Sequence, residues 1–322
     1  MNRIKTDICI IGGGSGGLSI AAGAVQMGAK VVLLEGHKMG GDCLNYGCVP
    51  SKALIASAKQ AHAMSHGAKY GVGEVEAKVD YAAAKDHVHD VIAQIAPVDS
   101  VERFEGLGVH VISEFGTFIS KTEVQAGDTI IEARRFVVAT GSGPFVPPIP
   151  GLDTVKHYTN EDIFDLREKP KHLIVIGGGP IGMEMAQAHR RLGCEVTVIE
   201  GAKAFGKDDP ELAAIVLDNL KSEGINIVEE AQAEKISSKG DAITVHTPKG
   251  DFTGSHLLMA VGRKVNTDKL DLDAGGIAHD RAGLKVGDNL RSVTNKKVYA
   301  AGDVAGGLQF THVAGYHAGV LI

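Results

Sequence analysis

Residues 7–35 read DICIIGGGSGGLSIAAGAVQMGAKVVLLE, and residues 173–200 read LIVIGGGPIGMEMAQAHRRLGCEVTVIE. Each stretch begins with an apolar run that is typical of a buried parallel strand. A glycine-rich turn follows, then a helical pattern to about Met27 or Leu192, and then a second apolar run that ends in glutamate. The chain therefore contains one strand–turn–helix–strand unit written twice.

The two copies keep a constant spacing, because Gly177 follows Gly12 by 165 residues and Glu200 follows Glu35 by the same 165. In a G-x-G-x-x-G turn the glycines permit a tight turn, close approach to a pyrophosphate, and packing of helix on strand. The helix N-terminus stabilises the phosphate charge, and the acidic residue accepts hydrogen bonds from a ribose. Glycines that only made turns would not explain the matched glutamates. We therefore predict an α/β fold with two Rossmann-like, three-layer (ββα) dinucleotide-binding domains.

Two dinucleotide sites on one chain indicate two cofactors in electronic contact. We expect FAD at the first copy and NAD(H) at the second. Glu200 favours NADH over NADPH, because its carboxylate would repel a 2′-phosphate and no arginine replaces it. Lys203 lies close by in sequence, so NADPH is disfavoured rather than excluded.

A second informative stretch, GGDCLNYGCVPSK at 40–52, carries Cys43 and Cys48 five positions apart. In a regular α-helix the Cα atoms of residues i and i+5 lie roughly 8 to 9 Å apart, whereas a disulfide needs about 4.4–6.8 Å. Either the thiols never meet, or the backbone bends between them, as Gly47 would permit. Pro50 suits the first turn of a helix, whose N-terminus favours thiolate. The spacing alone leaves open a redox centre and two unrelated buried thiols.

The composition argues against several classes of protein. The 322 residues are 44% hydrophobic and 22% charged with a net charge of −6, and no Lys/Arg run suggests nucleic-acid binding. The longest apolar runs are strand-sized, so we expect no membrane span. The glycine turn at Gly12 leaves no room for a signal peptide. Four cysteines without a leader predict a reducing, cytoplasmic location, where a persistent disulfide is usually catalytic or redox-sensing.

Pro- and Gly-rich segments indicate where the chain crosses between domains. One such segment lies at 139–151, and a similar exit follows the second copy at 258–263. We expect an NAD(H)-binding domain at 147–265, inserted into a discontinuous FAD-binding domain at 1–146 and 266–322 that carries the cysteine pair.

These motifs together resemble the class I FAD-dependent pyridine nucleotide-disulfide oxidoreductases, which include dihydrolipoamide dehydrogenase, glutathione reductase and mercuric reductase. The segment 40–52 is similar to the family's redox-active disulfide motif. ATG at 139–141, AVGR at 260–263 and AAGD at 300–303 match its other landmarks in order. The resemblance covers essentially the whole chain. It implies an NADH/FAD-dependent oxidoreductase that passes electrons between nicotinamide, flavin and a Cys43–Cys48 disulfide.

Within the family, Pro50-Ser51-Lys52 is most similar to the branch of dihydrolipoamide dehydrogenase and mercuric reductase. Asp42 departs from the usual threonine, and with the run at 99–106 it resembles a mercuric reductase-like side branch. The leading hypothesis is therefore a dihydrolipoamide dehydrogenase-like activity on a small-molecule or protein-bound dithiol or disulfide. The alternative is NAD(P)H-dependent reduction of a metal ion or another oxidant.

The resemblance also implies roles for four residues. Cys43 would be the interchange thiol that attacks a substrate disulfide, and Cys48 the thiol that contacts the flavin as a charge-transfer thiolate. Lys52, one helical turn beyond Cys48, would lie beside the flavin nitrogen that accepts hydride, with Glu184 as its partner. The alternative for Lys52 and Glu184 is a pair of solvated surface charges.

Cofactor-binding residues follow from the same resemblance. Asp303 would bind the flavin ribityl chain. His312 would lie along the flavin edge, although a purely structural role explains it nearly as well. The residues implied for FAD are Gly12, Gly14, Ser15, Gly17, Glu35, Gly41, Asp42, Lys52, Gly116, Thr140, Gly141, Asp303, Thr311, His312 and Ala314. The residues implied for NAD are Gly177, Gly179, Ile181, Gly182, Glu200 and Gly262.

We assign no role to the remaining thiols and to several histidines. Cys9 and Cys194 fall in or next to strands, where small core thiols are common. No metal site is expected, because four histidines lack cysteine or acidic partners at ligand spacing and are better explained as surface residues. These histidines are His62, His66, His87 and His89.

Family members continue beyond the equivalent of Ile322 into a dimerisation domain of roughly 100–150 residues, which supplies a His–Glu acid/base pair. We therefore expect this chain to be an FAD/NAD-binding fragment with weak activity on a disulfide, from a homodimeric full-length protein; the fragment alone could be monomeric. A two-domain thioredoxin reductase is disfavoured. Those enzymes carry C-x-x-C in the nucleotide domain, where this chain has only Cys194.

Overall fold

The protein folds into two compact units in a computed structural model that describes residues 2–322. The first unit comprises Met1–Asn45, Ile92–Gly143 and Lys264–Ile322, and the second comprises Tyr46–Val91 and Pro144–Arg263. Each unit holds one copy of the glycine-rich repeat. Residues 46–91 pack with the second unit, whereas the sequence had placed them with the first. The cofactor domains at 1–146, 147–265 and 266–322 stay a prediction.

Eight α-helices occur in the part of the chain that the structure describes. Their bounds are α1 Ser15–Gln26, α2 Gly41–Asn45, α3 Cys48–Met64, α4 Tyr81–Ile95, α5 Val101–Gly106, α6 Pro180–Arg191, α7 Pro210–Ser222 and α8 Thr311–Leu321. Short 3₁₀ helices lie at Ala68–Tyr70, Ala96–Asp99, Leu152–Thr154, Ile163–Asp165 and Gly302–Ala305. None of these helices in residues 2–322 is both long and apolar enough to cross a membrane.

Eighteen β-strands occur in the same described residues. They are β1 Asn2–Ile11, β2 Val31–Leu34, β3 His110–Ile112, β4 Gly116–Ser120, β5 Glu123–Ala126, β6 Thr129–Val138, β7 Ser142–Pro144, β8 His172–Ile176, β9 Glu195–Ile199, β10 Asn226–Val228, β11 Lys235–Lys239, β12 Ala242–Thr247, β13 Gly250–Gly254, β14 His256–Met259, β15 Arg263–Val265, β16 His279–Asp280, β17 Gly283–Leu284 and β18 Val298–Ala300.

The first unit is built on a seven-stranded sheet in the order β3-β2-β1-β6-β5-β4, with β18 also paired to β6. The pairs around β1, β2, β3, β6 and β18 are parallel, and β4, β5 and β6 form an antiparallel meander. Ile11 lies opposite both Leu34 and Val138, so these three parallel strands end level. The residues that follow them share one edge of the sheet, where α/β proteins bind their ligands.

The second unit is built on a four-stranded parallel sheet in the order β10-β9-β8-β14. Ile199 lies opposite Ile176 and Val228, and Met259 also lies opposite Ile176. The carboxyl ends of all four strands are therefore level, as in the first unit. A three-stranded antiparallel sheet, β11-β12-β13, completes the unit.

Apolar strand residues form the core of each unit. In the first, both faces of the sheet are covered, and Cys9 and Ile10 are fully buried in separate clusters on opposite faces. In the second, Ile174 and Leu257 pack against the antiparallel sheet. The α/β class and the Rossmann-like character of both units are confirmed.

The second unit also buries a cluster of polar side chains, which we call the polar core. It consists of Tyr81, Lys85, His189 and Cys194. Lys85 Nζ donates to the carbonyl of Ile163 at 2.9 Å and lies 5.2 Å from the centre of the Tyr81 ring. Burial lowers the pKa of Lys85 to about 7 and that of His189 to about 3. The Tyr81 hydroxyl and His189 Nε2 are buried without a hydrogen-bond partner.

Candidate functional site

The first glycine turn fits only residues without a side chain. A Cβ atom placed on Gly12 would lie 2.4 Å from the carbonyl oxygen of Ala139, and one on Gly17 would lie 1.9 Å from the carbonyl oxygen of Gly12. Gly12 also has φ +113°, which L-residues rarely adopt. The backbone is therefore packed so closely at the end of β1 and the start of α1 that a methyl group on either glycine would clash with a carbonyl oxygen.

The second glycine turn repeats this geometry closely. A Cβ on Gly177 would lie 2.3 Å from the carbonyl oxygen of Ala260, and one on Gly182 would lie 2.1 Å from that of Gly177. Gly177 has φ +116°, within a few degrees of Gly12. The sequence repeat is thus a repeat of steric constraints.

Glu35 and Glu200, the glutamates that end the two copies of the repeat, are held in the same way. The Glu35 carboxylate accepts hydrogen bonds from the amides of Gly13 and His37, both at 2.7 Å. The Glu200 carboxylate accepts hydrogen bonds from the amide of Gly178 at 2.6 Å and from the amide of Ala202 at 2.8 Å. Each carboxylate is therefore oriented at a strand end beside a glycine turn, where a ribose would be recognised.

Both helix N-termini can accept a dinucleotide phosphate. Gly14 and Gly179 are the N-cap residues of α1 and α6, and neither helix has a side-chain cap. A Cβ on Gly179 would meet open space, and one on Gly14 would meet only the Cα of Gly41, at 3.7 Å. Uncapped amides beside open space suit an anionic group. The residues present therefore fit the pyrophosphate of a dinucleotide in each unit.

The loops that follow each repeat also correspond, although their residues differ. Gly40 N donates to the carbonyl of Gly13 at 2.9 Å, and Phe205 N donates to that of Gly178 at the same distance. Both residues have positive φ, +84° for Gly40 and +53° for Phe205. The repeat at an offset of 165 thus continues beyond the glutamates, with phenylalanine where the first copy has glycine.

The cysteine motif is divided between two helices. Cys43 is half-buried in the short helix α2, and Cys48 is exposed as the first residue of α3. The backbone breaks at residues 46–47, where Gly47 has φ −121° and ψ −110°. The helix is therefore interrupted between the two cysteines, and the pairing of their thiols stays a prediction. Cys48 therefore lies at a helix N-terminus that has no side-chain cap, where negative charge is stabilised.

Lys52 and Glu184 form an ion pair within the second unit. Lys52 Nζ lies 2.6 Å from Glu184 Oε2, and helix α3 packs along α6. Their side chains are 61% and 40% exposed, so the pair contributes little stability by itself. The structure brings together the two residues that the family motif implies; the role of Lys52 beside a flavin stays a prediction.

In the first unit the ATG and AAGD segments are held by hydrogen bonds across long sequence distances. Thr140 Oγ1 donates to the carbonyl of Asn266 at 2.7 Å, and the Asn266 side-chain amide donates back to the Thr140 carbonyl at 3.0 Å. The amide of Asn266 donates to Gly141. Ser142 Oγ donates to Asp303 Oδ2 at 2.5 Å, which orients a predicted FAD-binding carboxylate.

Helix α8 brings its N-terminal residues to the same unit as the first glycine turn. Thr311 begins the helix and is exposed, and the His312 ring stacks on Phe310 at 5.5 Å between centres. Ala314 is buried, and a Cβ on Gly16 would lie 3.5 Å from its methyl group. Ala314 is therefore explained by packing of α8 on α1, and its predicted contact with FAD is an additional hypothesis.

The remaining predicted residues fall in varied surroundings. Gly116 opens β4, where a Cβ would lie 2.7 Å from Leu34 Cδ1, so core packing alone requires glycine. Gly262 has φ +130° next to open space, and Ile181 is 44% exposed in the first turn of α6. Ser15 begins α1, and Asp42 lies in the first turn of α2. Their cofactor contacts stay predictions.

The histidines without an assigned role do not assemble a metal site. The rings of His62 and His66 stack at 3.8 Å between centres. His89 Nε2 lies 3.3 Å from Asp165, an acidic neighbour that is remote in sequence and so not indicated by local ligand spacing. Within residues 2–322 no three His, Cys, Asp or Glu side chains are grouped to hold a metal ion. Burial raises the pKa of both Cys9 and Cys194, the latter to about 11.

Sequence reasoning missed three residues that support the candidate site. Ser142 and Asn266 orient Asp303 and Thr140, and His317 Nδ1 accepts a hydrogen bond from the amide of Gly302 at 3.1 Å. Each partner lies 15 or more residues away in sequence. No local spacing could have indicated these pairs, because they depend on tertiary packing.

Three comparisons describe what the chain is similar to. A family profile described as "Pyridine nucleotide-disulphide oxidoreductase" matches residues 6–318. A mercuric reductase of Bacillus cereus is 35% identical over 319 residues, which are 98% of this chain and 51% of that protein. A dihydrolipoyl dehydrogenase of Chlamydia trachomatis is 31% identical over 325 residues, which are 98% of this chain and 69% of that protein.

A solved structure is also similar over nearly the whole chain. It is the Cu(II) complex of the HOCl-induced flavoprotein disulfide reductase RclA from Escherichia coli. The TM-score is 0.88 and the identity 28%, and the alignment covers 98% of this chain and 70% of that one. The chain spans about half the length of the Bacillus cereus protein.

Proposed function

Because the chain belongs to the pyridine nucleotide-disulphide oxidoreductase family, we propose that it carries the cofactor-binding part of a disulfide oxidoreductase with Cys43 and Cys48 as its redox pair. Membership confirms the family inferred from the motifs. FAD and a nicotinamide dinucleotide are the family's cofactors, as predicted. We assign FAD to the copy with Glu35 and NAD(H) to the copy with Glu200.

One observation carries this proposal. Two glycine turns have the same steric constraints, and each has a carboxylate held by two backbone amides. A single dinucleotide enzyme needs one such site. Two sites on one chain suit electron transfer between two dinucleotides, and FAD when bound supplies the two-electron carrier between nicotinamide and a disulfide.

The chain's own residues then have distinct tasks. Cys43 is the thiol that attacks a substrate disulfide, so that a mixed disulfide forms and one substrate thiolate leaves. Cys48 attacks the Cys43 sulfur in turn, which releases the second thiolate and forms the Cys43–Cys48 disulfide. When a dithiol is oxidised these steps run in reverse: a substrate thiolate attacks Cys43 of the disulfide and releases the Cys48 thiolate, and the second substrate thiolate then closes the substrate disulfide and releases Cys43. Thiolate is the reactive form, and the N-terminus of α3 stabilises it at Cys48. Lys52, held by Glu184, supplies a fixed positive charge.

We propose a dihydrolipoyl dehydrogenase-like reaction in which a dithiol and NAD⁺ give a disulfide, NADH and a proton. Its supports are the 31% identical relative and the motif through Lys52. A second candidate is reduction of Hg(II) by NADH to Hg(0), NAD⁺ and a proton. The 35% identical mercuric reductase and the departure at Asp42 support it. A homodimer for the whole protein and a cytoplasmic location belong to the same proposal.

Redox titration tests the cysteine assignment. The FAD-loaded protein, reduced by two electron equivalents of dithionite, should develop a long-wavelength absorbance band from a thiolate beside the flavin. Cys48→Ser should abolish the band, whereas Cys43→Ser, which has no disulfide to accept the electrons, should show it in the oxidised protein before dithionite is added. Cys194→Ala, which removes a buried thiol, is the matched control and should leave the band intact. A band that persists in both the Cys43 and the Cys48 variants would contradict the assignment.

Turnover assays separate the two candidate substrates. The protein is supplied with dihydrolipoamide and NAD⁺ in one assay, and with NADH and Hg(II) in excess thiol in the other. NADH formation in the first supports the dihydrolipoyl reaction. NADH loss with release of mercury vapour in the second supports metal reduction.

A further inference from the structure

The loop that follows β9 is bound along its length by the segment that follows β10. Glu200 N donates to the Val228 carbonyl at 2.8 Å, and Ala231 N donates to the Glu200 carbonyl at 2.9 Å. Glu230 N donates to the Ala202 carbonyl at 2.8 Å. These bonds fix residues 229–231 against the loop whose carboxylate is expected to recognise a ribose.

This arrangement brings two further carboxylates to the Glu200 loop. Glu229 Oε1 accepts a hydrogen bond from the amide of Ala204 at 3.0 Å. Glu230 has φ +54°, an uncommon conformation for a residue with a side chain. Its two neighbours are both hydrogen-bonded to the Glu200 loop, Glu229 through its side chain and Ala231 through its amide, so the backbone at Glu230 is held in place.

Glu230 is paired with two lysines, Lys203 and Lys249. Lys203 Nζ lies 3.0 Å from Glu230 Oε1, and Lys249 Nζ lies 3.4 Å from Glu230 Oε2. Lys249 Nζ also donates to the Glu229 carbonyl at 2.8 Å. The hydrogen bond from Lys203 lowers the pKa of Glu230, and the same bond raises the pKa of Lys203. Both groups are therefore charged at neutral pH.

Lys203 is the cation that follows most closely after Glu200 in sequence. A 2′-phosphate on the nucleotide ribose would need such a cation, whereas a 2′-hydroxyl needs only an acceptor such as Glu200. Glu200, Glu229 and Glu230 carry three negative charges and Lys203 and Lys249 two positive ones, so these five side chains have a net charge of −1. A phosphate monoester brings about −1.5 to −2 more.

We propose that Glu230 is a positioning residue that holds Lys203 away from the ribose 2′ position and so sets the preference for NADH over NADPH. The inference rests on the proposed function, because it takes the second copy as the nicotinamide dinucleotide site. Glu200 accepts the 2′-hydroxyl. Lys203 cannot reach a 2′-phosphate without breaking its pair with Glu230, and Glu229 and Glu230 repel that phosphate.

Direct binding measurements test this role. The dissociation constants of NADH and NADPH are measured by calorimetry on the FAD-loaded full chain. Glu230→Gln keeps the backbone bonds and removes the charge, so it should tighten NADPH binding about tenfold and change NADH binding less than about twofold. Glu230→Asp, which keeps the charge, should stay close to the unaltered chain. Unchanged NADPH binding in Glu230→Gln would overturn the proposal.

Two lysine variants make the test specific. In Glu230→Gln, a further Lys203→Gln should remove the gain in NADPH affinity; a gain that persists would overturn the proposal. In the unaltered chain, Lys203→Gln should change the NADPH dissociation constant less than about twofold, because this lysine is already paired. A loss of more than about fivefold would show that Lys203 binds the phosphate and would overturn the proposal even if Glu230→Gln failed to fold.

The same titrations distinguish this inference from the proposed function. If the unaltered chain binds NADH and Glu200→Ala weakens that binding, the nucleotide site is in the second copy whatever Glu230 does. If the unaltered chain binds neither nucleotide, the proposed function and this inference are both overturned. Normal NADH binding with no effect of Glu230→Gln overturns this inference alone.

Discussion

The two units have the same glycine turn and the same held glutamate, but they differ in the side chains beside that glutamate. Both have a strand end and a helix start in backbone contact, and both hold a glutamate with two amides. Beside the residue that follows the glutamate, the first unit has an aromatic ring: a Cβ on Gly36 would lie 2.4 Å from Phe115. The second has an amide there, since a Cβ on Gly201 would lie 2.5 Å from Gln232 Oε1. The steric constraints of the two turns are therefore the same, whereas the side chains beside the glutamate differ, an aromatic ring in the first unit and an amide in the second.

Matched substitutions in the two turns should produce the largest effect. Gly17→Ala places a methyl group on the Gly12 carbonyl, and Gly182→Ala does the same at Gly177. Each turn must open, so affinity for its own dinucleotide should fall by at least about 100-fold, or about 2.7 kcal/mol. FAD content by absorbance should fall only in Gly17→Ala, and NADH affinity by calorimetry only in Gly182→Ala.

Circular dichroism melts of both variants control for misfolding. The comparison would be broken if Gly182→Ala lost FAD while Gly17→Ala retained it, because the assignment of cofactors to copies would then be reversed.

The polar core, which includes the buried Lys85, should make the stability of the second unit depend on pH. Helix α6 has His189 where α1 has Ala24, and it is His189 that packs against Tyr81 near Lys85. The folded-state pKa of Lys85 is lowered to about 7, so above pH 7 the unfolded chain binds more protons. The ionised Lys85 therefore destabilises the fold; this penalty is full below pH 7 and is relieved as pH rises from 7 towards 10.5.

Urea unfolding between pH 7 and 9 measures this contribution as a difference from Lys85→Met, in which the effects of the other titrating groups cancel. The unaltered chain should gain up to about 1.4 kcal/mol per pH unit relative to Lys85→Met. Lys59→Met, at an exposed position on α3, is the control and should follow the unaltered chain. Parallel pH profiles for Lys85→Met and the unaltered chain would contradict burial of a titrating ammonium.

The smallest effect is expected at the ion pair between α3 and α6. Glu184→Ala should reduce the free energy of unfolding by no more than about 1 kcal/mol, because Lys52 and Glu184 are exposed. Ser19 occupies the equivalent position in the first copy and bonds only to the Ser15 carbonyl of its own helix. Ser19→Ala should therefore change stability by less than about 0.5 kcal/mol.

Salt identifies the electrostatic part of that difference. The effect of Glu184→Ala should shrink at about 1 M salt, where the Debye length is about 3 Å. An effect that does not depend on salt would indicate lost packing rather than a lost charge pair.

The sequence was sufficient for the framework because its constraints are local. Glycine at fixed positions and glutamate at a strand end are readable from spacing, as in the two copies that lie 165 residues apart. The polar core was not predictable, because a lysine on a helix suggests a solvated face until its partner is known. That partner is the carbonyl of Ile163, 78 residues away.

The site shows the same division. Lys52 and Glu184 could be paired from the family motif, whereas Ser142 and Asp303, 161 residues apart, follow from no pattern. The placement of residues 46–91 with the second unit also depends on packing of α3 along α6, which no linker composition indicates.

Gly40 and Phe205 occupy equivalent positions but differ in the substitutions that their surroundings tolerate. A Cβ on Gly40 would lie 2.4 Å from Leu44, so this position is closed to substitution. The equivalent Phe205 bears a side chain in left-handed backbone, at a cost of about 1 kcal/mol. A side chain is therefore tolerated at this position of the second copy and excluded at the equivalent position of the first. Glycine would also fit the left-handed backbone at 205, so residue 205 can vary where residue 40 cannot.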